Sequence, residues 1–200
     1  MKLTSLSVTE LLAAFRSPDP TPGGGSAAAV AGAIGSSLLA MVAALPKSRA
    51  ASKEDAERLT AAGERCAALG VELEALVDRD SEAYALVMAA YKRPKGTDEE
   101  KAARSGGIQA AVREAIAAPL AVMRACAAAA EQGVVVAALG NTSASSDVRV
   151  GFELLGAGLR GARLNVEVNL DSVKDADYAA GIRGEVERLA SGFSRLQRVV

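Results

Sequence analysis

Histidine and tryptophan are both missing from the 200 residues of this chain, and phenylalanine and tyrosine number three each. Without histidine, proton transfer falls to carboxylates, lysine, tyrosine or bound water, and a histidine-ligated metal is excluded. So few aromatic rings leave little on which nucleobases stack. A formal net charge of −1, from 23 basic and 24 acidic residues, gives no electrostatic footprint for nucleic acid. The only cysteines, Cys66 and Cys126, stand alone in helical patterns, where apolar core filling describes them better than a disulfide or a metal site. No strand pattern, internal repeat or low-complexity tail is visible. Met1-Lys2-Leu3-Thr4-Ser5 runs into a short amphipathic helix rather than a long apolar leader, which points to a cytoplasmic protein.

What is present is 50% hydrophobic residues, ample for a core that must be built from alanine, leucine and valine. Such a core suits closely packed helices. The expected fold is all-α: one domain over 1–200, an antiparallel helical bundle around a long, buried central helix.

That central helix follows Pro20-Thr21-Pro22-Gly23-Gly24-Gly25-Ser26. The prolines forbid helix before the turn, and the glycines permit positive φ and close approach of another surface. The stripe Val30, Ile34, Leu38, Met41, Leu45 is expected to face inward, with alanine and glycine elsewhere. Ala27 to Leu45 is also free of charge, so a membrane span is an alternative, although its glycine and serine content favours a buried helix. The glycine mouth offers unpaired N–H groups at the positive end of the helix dipole, suited to an anion or to ligand oxygens. The plainer account is a tight turn that lets a helix pack closely. A P-loop and a dinucleotide fingerprint are both excluded, because no Gly-Lys-Ser/Thr follows and no strand precedes.

Elsewhere, Ser7-Val8-Thr9-Glu10 and Thr97-Asp98-Glu99-Glu100 read as capping boxes. Ser52 to Tyr91 reads as one helix whose face carries Leu59, Cys66, Leu69, Leu73 and Val77, then Tyr84, Val87, Met88 and Tyr91. Asp80 lies on that face, where an apolar side chain is due. It has either a task or partner in an apolar seam, or a boundary position that reaches water. Glu72, Glu74, Asp78, Arg79 and Glu82 read as a solvated face. Lys92-Arg93-Pro94-Lys95-Gly96 is a basic loop, solvated or holding an anionic tail. Pro119 is expected to kink or divide the next helix. Asn141 to Asp147 forms a polar loop that caps a helix with Phe152, Leu155, Leu159 and Val166 inward, Gly156, Gly158 and Gly161 allowing close approach, and Asn165 and Asn169 needing partners. A last helix shows Ala179, Ile182, Val186, Leu189 and Phe193 at heptad-like spacing.

Five stretches together resemble the cyclodeaminase/cyclohydrolase family of folate enzymes, in its order and spacing over nearly the whole chain. They are Pro22 to Ser26, Asp78-Arg79-Asp80-Ser81-Glu82-Ala83-Tyr84, Pro94-Lys95-Gly96-Thr97-Asp98-Glu99-Glu100-Lys101, Gly140-Asn141 with Ser146-Asp147, and Leu164-Asn165-Val166-Glu167-Val168-Asn169. The resemblance implies an all-helical fold, a homodimer or higher oligomer, and a tetrahydrofolate site needing neither metal nor nucleotide cofactor; no nucleic-acid or membrane partner is expected from the composition. It implies Asp80, Asp147 and Asn141 as catalytic residues, and Gly23, Gly24, Gly25, Ser26, Tyr84, Lys95, Ser146 and Asn165 as substrate-binding ones. The implied activity is methenyltetrahydrofolate cyclohydrolase. The alternatives are formimidoyltetrahydrofolate cyclodeaminase, a pocket turned to another cyclic amidine or imine, and a non-enzymatic helical interaction module. Two departures stand out. Ala44-Leu45-Pro46-Lys47-Ser48-Arg49 replaces the family's Asn-Leu-Thr and Gly-Lys-Lys, and Arg93 stands where leucine is common.

Overall fold

In the computed structural model, which describes residues 2–200, the helices that start after Ser7, Ser52 and Thr97 begin at their capping signals. A 3-10 turn at Leu3–Ser5 precedes α1 (Val8–Arg16), α2 (Gly24–Ala44), α3 (Lys53–Tyr91) and α4 (Asp98–Leu139). A second 3-10 turn at Thr142–Ala144 leads into α5 (Ser145–Leu170) and α6 (Ala176–Gln197), with no strand among the described residues. Ser7 and Glu10 form a reciprocal capping box, as do Thr97 and Glu100. Each pair satisfies two of the N–H groups that a helix start leaves open.

α2 lies between α3 and α5 and runs antiparallel to both. On the α3 side, Ser26 meets Val77 and Asp80, Ser36 donates to the Cys66 carbonyl at 2.7 Å, and Ala43 meets Gly63. On the α5 side the backbones themselves touch: a Cβ on Gly35 would sit 2.7 Å from the Gly151 carbonyl, and one on Gly158 2.8 Å from that of Ala28. α4 closes the third side with Cys126 against Gly32, and α6 lies on α4 and α5, its Phe193 ring 6.4 Å from Phe152. Both thiols are buried, and desolvation pushes each up to about 12, so they are inert packing groups.

Four expectations are corrected. The inward face of α2 is Gly25, Ser26, Ala28, Ala29, Gly32, Gly35, Ser36, Leu39 and Val42, whereas Ile34 and Met41 of the expected stripe are 49% and 42% exposed. Close helix approach selects small residues inward and leaves the large ones outside. None of the glycines has positive φ; what they supply is the missing Cβ. On α3, Tyr84, Met88 and Tyr91 are exposed, because α2 begins at Gly24 beside Asp80 and α3 runs three turns past it. Asp78 is not a solvated residue: its carboxylate accepts from Leu3 N at 2.5 Å and Thr4 Oγ1 at 2.8 Å, tying down the first turn.

Pro119 also departs from expectation, since α4 continues unbroken through it. A proline has no N–H for the carbonyl four residues back, here that of buried Ala115. Asn169 on α5 repairs the gap: its Nδ2 donates to Ala115 O at 3.1 Å and to Asn165 O at 2.8 Å. Asn169→Ala leaves that buried carbonyl unpaired and is expected to lower stability by about 1–3 kcal/mol in denaturant unfolding. An unchanged midpoint would show that water takes over the bond.

Candidate active site

The N-cap of α2 is Gly23, which has no side chain to cap the helix, and the amides of Gly24 and Gly25 find no acceptor among the described residues. The third amide, of Ser26, donates to Asp80 Oδ2 at 2.9 Å. Ser26 is fully buried; its hydroxyl donates to the Val77 carbonyl at 2.9 Å and lies 3.2 Å from Asp80 Oδ2. Ser26, expected to touch substrate, therefore serves to hold Asp80.

Asp80 Oδ1 has no hydrogen-bond partner among the described residues and lies against the bare Cα of Gly25, where a built Cβ would fall 2.0 Å away. Burial raises the carboxyl's pKa above its ordinary value, with the Ser26 hydroxyl and amide pulling partly the other way. A half-desolvated carboxylate with one oxygen anchored and the other free is suited to accept a proton or to face a cation. Asn165 completes the wall: its Nδ2 donates to Gly161 O at 3.0 Å and sits 3.4 Å from where a Cβ of Gly24 would be. Gly23, at the N-cap position, opens the turn.

Past Asp80 the overhang of α3 carries Tyr84 and then Tyr91, roughly 16 Å farther along the helix at 1.5 Å per residue. There a groove of about 470 Å³ is lined by Lys95, Lys101, Arg104, Ser105 and Lys174. Lys101 pairs with Asp98 at 2.8 Å, while Lys95, Arg104 and Lys174 have no carboxylate partner among the described residues. Lys95 was legible in its loop. Lys174 comes from the far end of the chain and carried no local signal.

Asn141, Ser146 and Asp147 lie elsewhere. Asn141 Nδ2 donates to Pro46 O at 2.7 Å, just beyond the C-terminal end of α2, and its Oδ1 accepts from Ser143 N at 2.8 Å. Arg49 fastens the same corner through bonds to the Ala137 and Leu139 carbonyls, and Lys47 there has φ 60°. Ser146 and Asp147 stand in the first turn of α5 beside that corner. Ala144, not a residue of the polar run with a capping side chain, holds the N-cap position. With 21 residues in α2, this group lies roughly 30 Å from Asp80.

A family model described as formiminotransferase-cyclodeaminase matches residues 7–188, spanning both groups of residues. The chain belongs to the formiminotransferase-cyclodeaminase family. Within it, the chain is 39% identical over 183 residues to a methenyltetrahydrofolate cyclohydrolase of Methylorubrum extorquens, covering 92% of this chain and 88% of that one. It is 34% identical to the formimidoyltransferase-cyclodeaminase of Sus scrofa, covering 84% of this chain but only 31% of that longer protein. In structure it is similar to a formiminotetrahydrofolate cyclodeaminase of Thermotoga maritima, with a TM-score of 0.85 at 26% identity over 99% of this chain and 95% of that one. The all-α fold expected from the resemblance is thus the family's.

Proposed function

We propose that this chain hydrolyses 5,10-methenyltetrahydrofolate to 10-formyltetrahydrofolate, using no metal or cofactor, as a cytoplasmic homodimer. The observation that carries the proposal is the Asp80 carboxylate, anchored through Oδ2 on Ser26 and open through Oδ1 at the glycine start of α2. The substrate's one-carbon bridge is a cationic amidinium, and an anion beside it stabilises the bound cation. Water adds to the bridging carbon as Asp80 takes one of its protons, giving a neutral carbinolamine. Asp80 then returns that proton to N5 as the carbon–N5 bond breaks. The remaining hydroxyl proton leaves as the formyl C=O forms, and the reaction releases one proton net. The second proton passes to solvent, and the Gly24 and Gly25 amides receive a substrate oxygen.

The overhang of α3 offers Tyr84 to the middle of the substrate. The groove with Lys95, Arg104 and Lys174 offers cations that have no carboxylate partner among the described residues to its glutamate carboxylates. The similarity to the Thermotoga maritima cyclodeaminase favours one second activity, ring closure of 5-formiminotetrahydrofolate with expulsion of ammonia, through a tetrahedral intermediate that resembles the carbinolamine. Presenting the purified protein with each substrate in turn separates the two. Loss of methenyl absorbance with 10-formyl product above the spontaneous rate is expected. Ammonia from the formimino compound with no methenyl turnover would assign the second activity instead, and neither product would overturn both.

A further inference from the structure

We propose that the Ser26 hydroxyl is a rotor that follows the charge of Asp80, with Ser81 as the positioning residue behind it; the use of this device in catalysis rests on the folate reading above. Ser26 is fully buried and its hydroxyl carries one proton, yet two acceptors lie within reach. Val77 O is 2.9 Å from Oγ, and Asp80 Oδ2 is 3.2 Å from it. One proton serves one of them fully at a time. A turn about the Cβ–Oγ bond carries it from one acceptor to the other, with no heavy atom moving.

Neither acceptor depends on that hydroxyl alone. Val77 lies well inside α3, so its carbonyl also takes the helix bond of the residue four positions on, which is Ser81. Asp80 Oδ2 keeps the Ser26 amide at 2.9 Å in either case. The hydroxyl is therefore free to go where the pull is stronger. A bond to a charged acceptor is about twice as strong as one to a neutral acceptor, so an ionised Asp80 draws the proton to itself. When Asp80 takes a proton from the attacking water on its open oxygen, Oδ1, the charge is gone and the hydroxyl swings back to the nearer Val77 carbonyl. When Oδ1 gives that proton to N5, the hydroxyl returns to Oδ2. Ser26 keeps its own proton throughout and lends a bond to the carboxylate for as long as that group is charged.

Ser81 acts on the oxygen of the rotor. Its Oγ is 3.4 Å from Ser26 Oγ, and because the Ser26 proton points to Val77 or to Asp80, Ser81 is the donor. A hydroxyl that accepts a hydrogen bond is itself a stronger donor, so Ser81 tightens the hold on Asp80 without touching it. The surroundings let so small a device count. α2 brings no charge between Gly24 and Ala44, and α5 brings the neutral Asn165 amide. On α3, Asp78 is bound to Leu3 and Thr4, Arg79 faces Glu114 at 3.6 Å, and Tyr84 is exposed one turn on. Glu82 lines a flanking cavity of about 400 Å³ with Lys2 and Ser81. The balance of the Asp80 carboxyl is set by burial on one side and by Ser26 on the other.

The deciding experiment reads Asp80 directly and needs no substrate. In protein labelled with carbon-13 at the aspartate carboxyls, the Asp80 signal is the one missing from Asp80→Asn. Its titration midpoint in Ser26→Ala is expected at higher pH than in wild type. Ser81→Ala, which keeps the rotor, is expected to move the midpoint the same way by less, and to move it no further when added to Ser26→Ala. The pH limb of kcat/KM should shift in the same order. A midpoint that stays or falls in a folded Ser26→Ala protein, or a Ser81→Ala shift that persists without the Ser26 hydroxyl, overturns the rotor. A kinetic limb that stays in place while the midpoints move overturns its part in catalysis. Shifted midpoints in a protein that does not turn over the methenyl compound uphold the rotor and fail the folate reading alone.

Discussion

Gly25→Ala is expected to lower kcat by about 10²-fold or more while leaving the helical content and unfolding cooperativity near those of wild type. The backbone at Gly25 has no positive φ, so alanine is tolerated there as in any first turn. The added methyl, however, falls 2.0 Å from Asp80 Oδ1, 2.4 Å from Cγ and 2.7 Å from Oδ2, so the carboxylate must move. Asp80 has a short side chain pinned by the Ser26 amide and hydroxyl, and its displacement breaks those bonds or turns the free oxygen away from the mouth. An ångström of misplacement in a reacting group costs on that order in rate. Circular dichroism and single-turnover kinetics check the two halves of the expectation. Full activity in a folded Gly25→Ala protein would mean that the carboxylate's position is not what the glycine protects.

Asp80→Asn is expected to have two opposite effects. Removing a general base costs about 10²–10⁴ in kcat. Stability at neutral pH, by contrast, is expected to rise, because burial makes the ionised carboxyl unfavourable there. A carboxyl whose folded pKa lies above its ordinary value binds its proton more tightly when folded. Its stabilising contribution is therefore full below the ordinary value of 3.8 and is lost as pH rises through the raised folded value. Asparagine does not titrate, and its Oδ1 still accepts the Ser26 N–H. The melting temperature of Asp80→Asn should exceed that of wild type at pH 7, and the gap should close as the solution is acidified through that window. A variant less stable than wild type at pH 7 would show that the Ser26 bonds outweigh burial.

The helices were legible because their starts carry local chemistry: Ser7 with Glu10, Ser52, and Thr97 with Glu100 sit where the chain turns helical. Asp80 was legible as a carboxylate out of place on an apolar face. The orientation of α2 was misread because amphipathic reasoning sends Ile34 and Met41 inward. Helices whose backbones touch at Gly35 and Gly151 bury their smallest residues instead. The resemblance put Asn141 and Asp147 in one list with Asp80, and the fold sets them at opposite ends of α2, a separation that motif order does not encode. The repair of the Ala115 carbonyl by Asn169 was out of reach for a similar reason. Pro119 announced a missing donor, but its replacement comes from another helix 50 residues later.

The central claim is that Asp80, as the ionised base in the glycine mouth, hydrolyses the methenyl bridge, and the pH dependence of kcat/KM for 5,10-methenyltetrahydrofolate tests it most directly. With the spontaneous rate subtracted, kcat/KM should rise with pH along a limb above the ordinary carboxylate range, since the free enzyme must lose the Asp80 proton. The corresponding limb in kcat should lie at lower pH, because the bound cation favours the carboxylate. Asp80→Asn should show neither limb. A wild-type profile that stays flat across this range, or an Asp80→Asn enzyme with the same limb, would contradict the account.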